Sequence, residues 1–316
     1  MGFLGQPDKE SAGVAAAVKK QFIGNALLIL TALIWGTAFV FQRVGMDSIE
    51  PISFNAARMA LAAVFIGVLA AFSWNKEKKD ISAKTEEEQR AYKKNTLLGG
   101  ICCGIFLSLG SIMQQTGLVY TTAGKAGFIT AMYILLVPVI GFIFLKRKNS
   151  WIVWIAVLMG VIGMYFLCIS DGFSFSAGDT FVCICAFFFS FHILCCDHFV
   201  SRGNAVCISA IQFTTATVIS AVAAFIMEDP GMDKFVSAIV PIVYCGIVSG
   251  GIGYTLQIVG QKYTDPTIAS LLMSLESVFA VITGVIVLHE QMSIREIIGC
   301  VIMFAAIILV TVRYRK

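Results

Sequence analysis

Three ionisable residues stand inside long apolar runs of this 316-residue chain: Arg58, His192 and Glu276. Taking such a group to membrane depth costs a few kcal/mol or more, so each should face protein or water and is a functional candidate by default. Glu276, in LLMSLESVFAVITG, lies about ten residues, hence about 15 Å, from either end of its run. Ala269, Met273, Ala280 and Thr283 share its helical face. That stripe is small and partly polar, which suits a cavity wall. The carboxyl group is equipped to bind a cationic group or exchange a proton, or else to pair structurally with a neighbouring helix. Arg58 lies about six residues inside its own run and, by depth, only about 6 Å from Glu276. It can bridge that step or hold a substrate carboxylate. His192, in AFFFSFHILCC, sits where an imidazole could titrate near pH 6.5 or simply pack among aromatics through a hydrogen bond.

Other side chains carry weaker signals. Lys125 stands near the mouth of a span, suited to a substrate or gating role or to snorkelling to the interface. Gln114 and Gln257 sit near opposite ends of two spans, as two gates or two interhelical hydrogen bonds. Tyr254, Ser111 and Trp35 are further cavity-lining candidates. The ten cysteines fall almost wholly within apolar runs and show no CxxC or Cys/His metal spacing, so they read as small buried apolar residues. Motifs for an intramembrane enzyme fail on spacing. GIVSGG around Ser249 is not Gly-x-Ser-Gly, and His289-Glu290 lacks the second histidine of HExxH. A nucleotide-binding P-loop is absent too, and the expectation is a non-enzymatic chain without cofactor.

These residues must be positioned by membrane helices. The chain is 58% hydrophobic and 13% charged, against about 45–50% and about 25% in soluble domains. With about 20 apolar residues needed per crossing, ten spans are expected: 22–42, 52–73, 96–119, 123–145, 151–170, 178–199, 206–227, 235–260, 266–288 and 294–313. Residues 74–95 are densely charged and read as a solvated turn or amphipathic helix. Lys and Arg concentrate at one set of span ends, from Lys19 and Lys20 through Lys76–Lys94 and Lys146–Lys148 to Arg313, Arg315 and Lys316. That bias places both termini in the cytoplasm, with the cell membrane as the expected location. The first run is too long for a signal-peptide core and reads as an uncleaved span.

The chain also repeats itself. The stretch GSIMQQTGLVYTTAGKAG from Gly110 returns as GYTLQIVGQKYTDPTIAS from Gly253. At one offset Gly110 meets Gly253, Gln114 meets Gln257, Gly117 meets Gly260, Tyr120 meets Tyr263 and Gly141 meets Gly284. At a second offset Gly24 meets Gly178, Ala56 meets Ala210 and Arg58 meets Gln212. The longer 74–95 segment accounts for the change. Five spans per unit is an odd number, so the second unit starts on the opposite side of the membrane. The expected fold is an all-α polytopic membrane protein, ten transmembrane helices in two inverted five-helix repeats, a transporter-like build. The expected division is a flexible cytoplasmic tail over 1–20, a first repeat over 21–172 and a second over 173–316.

WGTAFVFQR, FNAARMALAA, TTAGKAGFITAMYILLVPV and LESVFAVITGVIVLHEQ together resemble the EamA family of the drug/metabolite transporter superfamily, over about residues 22–312. Where that family often carries Glu-Pro, this chain has Glu276-Ser277. The resemblance implies a small-molecule carrier working by alternating access. Its cavity would be lined by spans 1–4 and 6–9, with spans 5 and 10 peripheral. Substrates of such a carrier include amino acids, other metabolites and drug-like compounds, and the leading expectation is an exporter or exchanger. Its partners would be the substrate, the lipid bilayer and protons or a counter-substrate. A homodimer is an assembly open to it, and nucleic acid is not expected. A receptor or scaffold that keeps the carrier fold without transporting is the competing reading.

Overall fold

The computed structural model describes residues 9–121, 123–168, 176–229, 231–288 and 293–313. Among them the chain is helical throughout: α1 (Lys9–Gly45), α2 (Pro51–Ser82), α3 (Glu86–Tyr120), α4 (Ala123–Thr130), α5 (Tyr133–Leu145), α6 (Trp151–Cys168), α7 (Ala177–Val200) and α8 (Ala205–Met227). There follow α9 (Met232–Ser237), α10 (Ile239–Val243), a π-helical segment (Tyr244–Gly253), α11 (Tyr254–Gln261), α12 (Pro266–Met273), α13 (Glu276–Leu288) and α14 (Ile294–Arg313). Among the described residues eight helical stretches are long and apolar enough to span a bilayer. Two shorter apolar helices, Trp151–Phe166 and Ile297–Val310, occupy the places expected for spans 5 and 10.

The helices run further than hydropathy alone predicts. α1 starts at Lys9, inside the segment expected as a tail. α2 and α3 both extend through the charged 74–95 stretch and leave a turn only around Thr85. Thr85 and Glu88 form a reciprocal capping box that starts α3, satisfying two backbone donors the helix end would leave bare. Tyr92 donates to Glu77 across the two extensions at 2.7 Å.

The inversion is visible in which helices lie side by side. α2 and its counterpart α8 pack antiparallel. At one end Glu228, just past α8, accepts from the Ile52 and Ser53 backbone amides at 2.9 and 2.7 Å, an anion on a helix N-terminus. At the other end Asn204, the cap of α8, donates to Ser73 and Glu77 of α2 at 3.2 and 2.9 Å. Two copies of one element running in opposite directions are an inverted repeat.

Backbone approach repeats in both halves. A Cβ on Gly117 of α3 would lie 2.9 Å from the Gly178 carbonyl of α7, and one on Gly178 only 2.8 Å from the Gly117 carbonyl. The counterpart pair, Gly24 of α1 and Gly260 of α11, gives 2.9 and 3.0 Å. Only residues without a side chain let these helices approach so closely. α6 and α14 pack on each other at the periphery, where a Cβ on Gly163 would meet the Gly299 carbonyl at 2.9 Å.

Candidate functional site

Spans 4 and 9 are each broken in the middle, at the same place in the repeat. α4 gives way to α5 at Ala131-Met132, and α12 gives way to α13 at Ser274-Leu275. The same tight backbone bonds close each break. Ile134 N–H donates to Ala131 and Met132 N–H to Ile129, at 3.0 and 3.1 Å. Their counterparts join Ser277 to Ser274 and Leu275 to Leu272, at 3.2 and 3.3 Å. The break in span 9 therefore needs no proline after Glu276. Interrupted helices of this kind hold substrate and ion sites in carriers, because they place polar groups at mid-membrane within the protein.

The first residue after each break reaches the interior. One is Tyr133 and the other is Glu276, counterparts in the repeat, and they meet: Tyr133 Oη donates to Glu276 Oε1 at 3.0 Å. Both are buried, at 2% and 3% exposure.

Around them lies a small cavity of about 30 Å³. Trp35, Phe39 and Gln42 come from α1, Arg58 from α2, Gln114 from α3, and Thr130 and Tyr133 from α4 and α5. Phe189, His192 and Ile193 come from α7, Ser249 from the π-helical segment, Tyr254 and Gln257 from α11, and Glu276 from α13. Among the described residues spans 5 and 10 contribute nothing to this wall, as the resemblance implies. Span 7, which the resemblance implies as part of the wall, instead stays behind it among the described residues, where Gln212 bonds His192 and the Phe213 ring lies 5.4 Å from that of Tyr254.

Seven of the nine expected residues thus border one space: Glu276, Arg58, His192, Trp35, Gln114, Tyr254 and Gln257. Ser111 does not line it. Its hydroxyl accepts from Asn55 at 3.2 Å, and Asn55 Oδ1 in turn accepts from Arg58 Nε at 3.0 Å, so Ser111 braces the arginine from behind. Lys125 lies on α4, but its side chain is outside the described residues, as are His289 and Glu290.

Arg58 and Glu276 do not bridge. Among the described residues Arg58 makes no ion pair, only the hydrogen bond to Asn55. Matching depth did bring both to one cavity, but the two helices are not packing neighbours: α2 lies on α8, α3 and the π-helical segment, and α13 on α1. His192 is held by Gln212, the counterpart of Arg58, at 3.0 Å from Nε2 to Oε1, and its ring lies 5.8 Å from that of Tyr254. Gln114 donates to Thr130 at 3.1 Å, an interhelical hydrogen bond. Trp35 Nε1 donates to the Ser249 carbonyl at 3.3 Å, and its ring sits 4.6 Å from Tyr254.

Two further groups are poised for a guest. Gln42 and Gln257, 3% and 1% exposed, each leave Oε1 buried without a hydrogen-bond partner among the described residues. A buried acceptor in that state costs stability until a donor arrives. The same residues hold no metal-chelating cluster of three or more His, Cys, Asp or Glu. Sequence reasoning missed Gln42, Thr130, Tyr133, Phe39, Phe189, Ile193 and Ser249. Carrying the repeat offset on from Gln114 and Gln257 to Glu276 would have found Tyr133, and Gln42 ends the WGTAFVFQR motif.

Comparison with known proteins matches this arrangement. A curated relative, an uncharacterized transporter of Archaeoglobus fulgidus, is 30% identical over 307 residues, covering 95% of this chain and 89% of its own. The uncharacterized transporter YoaV of Bacillus subtilis is 21% identical over 304 residues, covering 92% and 97%. A crystal structure of a protein only 17% identical superposes with a TM-score of 0.69 over 91% of this chain and 96% of the other, a likeness of fold. The family model for the EamA-like transporter family matches twice, over residues 22–169 and again over 176–312. With two matched copies facing each other across a polar cavity, the chain belongs to the EamA-like transporter family of the drug/metabolite transporter superfamily.

Proposed function

We propose that this membrane transporter is a secondary carrier of small zwitterionic or amphipathic metabolites, amino acids and drug-like compounds among them, that works by alternating access between its two inverted halves. The observation that carries the reading is a guanidinium and a carboxyl group in the wall of one cavity, Arg58 and Glu276, that do not pair with each other. Arg58 offers a guanidinium suited to a carboxylate. Glu276, with the bare acceptors of Gln42 and Gln257, suits an ammonium group. Trp35, Phe39, Phe189 and Tyr254 offer apolar faces between them. A guest with a carboxylate, an amine and an apolar body is complementary to all three.

Energy then comes from the guest's own gradient, a counter-substrate or a proton on Glu276 or His192. Export across the cell membrane is the direction we assign, with both termini cytoplasmic, a placement that the Lys and Arg distribution supports. The test is flux in proteoliposomes across a pH gradient, wild type against Glu276→Gln. A proton-coupled carrier loses gradient-driven accumulation in the variant but keeps exchange. Accumulation that survives the substitution removes the proton from Glu276, and no flux of any guest in wild type favours the non-transporting scaffold.

A further inference from the structure

Beside this cavity the second half is one residue longer than the first, and the extra length is localised. Gly104 in α3 packs on α8, where a Cβ would meet Thr215 Cβ at 2.6 Å and the Gln212 carbonyl at 2.7 Å. Gly246 packs on α2 in the same manner, against Leu61 Cβ and the Arg58 carbonyl at 2.9 and 3.0 Å. Leu61 and Arg58 are the counterparts of Thr215 and Gln212, so Gly104 and Gly246 are equivalent. Further along, Gly110 packs on Phe189 and Gly253 on Trp35, and Phe189 and Trp35 are again counterparts. Gly110 follows Gly104 by six positions, whereas Gly253 follows Gly246 by seven. The second half therefore holds one extra residue between two fixed points, within the Tyr244–Gly253 π-helix. A single inserted residue widens an α-helix in this way, and such bulges gather at functional sites.

The extra residue has a chemical consequence. Mid-helix carbonyls of a regular α-helix are engaged by the fourth amide onward. Ser249 lies in the widened segment, and Trp35 Nε1 donates to its carbonyl. The counterpart of Trp35 is Phe189, which has no donor, and it faces the regular helix α3. Indole and bulge occur together on one side of the cavity and are absent together from the other. Trp35 so anchored sits against Tyr254.

We infer that the inserted residue is a specificity-determining element: it turns a carbonyl toward Trp35 and fixes the Trp35–Tyr254 pair as a platform for the guest's apolar body. The platform role rests on the proposed carrier function; the fit of bulge to indole does not.

Two deletions test it. Ile252 and Ile105 lie in the two equivalent intervals and are both 39% exposed. Removing Ile252 restores the six-residue spacing and returns the π-turn to α-helix, so the protein stays monodisperse. Removing Ile105 takes a residue from a regular helix and misaligns Gly104 and Gly110 with their partners, so that protein loses its folded peak on gel filtration. With Trp74, Trp151 and Trp154 changed to Phe, deleting Ile252 shifts Trp35 emission.

In proteoliposomes, the half-saturation concentration for L-phenylalanine rises about tenfold on this deletion, with that for L-alanine and both maximal rates held. Trp35→Phe produces the same rise, and the two changes combined do no more than either alone, because both remove one contact. Equal damage from the two deletions, unaltered Trp35 emission, or additive effects in the double variant would overturn the inference. Wild-type vesicles that carry neither amino acid fail the carrier reading, and the stability and emission results still decide the bulge.

Discussion

The two halves of this transporter agree where helices touch and disagree where the cavity is. Gly24 and Gly178, Gly117 and Gly260, and Gly104 and Gly246 do the same work in both copies, setting backbones close together. The mid-span breaks and their backbone bonds also repeat. In and directly behind the cavity wall, Gln114 and Gln257 are alike, but Arg58 stands against Gln212, Trp35 against Phe189, and Tyr133 against Glu276. Each of these contrasts adds a charge, a donor or an acid on one side only. The shared residues build a symmetric frame, and the unshared ones give a guest two different ends to recognise.

Erasing the charge contrast should have the largest effect. Arg58→Gln makes the first half copy the second. A charge-assisted hydrogen bond is worth about 1.5–3 kcal/mol, so the half-saturation concentration for a carboxylate guest should rise roughly 10- to 100-fold, with its decarboxylated amine much less affected. Transport competition assays read both.

The frame is tested by adding a methyl group to each of two counterparts. Gly24→Ala and Gly178→Ala each force a Cβ to within 3 Å of a facing backbone carbonyl, and overpacking of this kind costs about 1–3 kcal/mol. The two variants should lower the melting temperature in detergent by similar amounts. A large drop in one alone would mean that the symmetry is only apparent.

A smaller change follows from Tyr133→Phe, which removes the hydroxyl from Glu276 and leaves the ring. One buried hydrogen bond is worth about 1 kcal/mol net, so flux at fixed pH should change about fivefold, and its pH profile should move. A profile that stays in place would assign Tyr133 to packing.

The smallest effect belongs outside the cavity. Glu50, between α1 and α2, pairs with Lys234 before α10. That ammonium and its hydrogen bond hold the Glu50 carboxyl below its ordinary 4.5, and Glu50 raises Lys234 in turn. The pair's contribution is complete at neutral pH. It fades as pH falls from 4.5 through the lowered Glu50 value, and at the alkaline end as pH rises through the raised Lys234 value. Because both groups are partly exposed, Glu50→Gln should barely move the melting temperature at pH 7 and should erase any difference below pH 4.

Much of this was readable in the chain. Polar and aromatic residues inside apolar runs are conspicuous, which is why Glu276, Arg58, His192, Trp35, Tyr254, Gln114 and Gln257 stood out. The repeat followed from Gly, Gln and Tyr-Thr matches at fixed spacing. Tyr133 did not stand out, because one more aromatic in an apolar run resembles packing. The break beside Glu276 carries no proline to announce it. The inserted residue hides among glycines and small apolar residues, where a shift of one position leaves no pattern. Depth along a helix put Arg58 and Glu276 close in level, but which helices become neighbours is not encoded in any single run, and α2 and α13 do not pack together.

The cross-repeat pairing of α2 with α8 sets an order of events at the ribosome. Arg58 and Asn55 emerge early, yet Ser220, the π-helical segment and the Glu228 cap that enclose them lie more than 150 residues downstream. Until those later helices leave the translocon, a charged side chain made in the first fifth of synthesis has no finished pocket. Nascent chains stalled before residue 205 should therefore be the substrates that membrane quality control captures, and maturation becomes a single late closure rather than two half-proteins folding in turn.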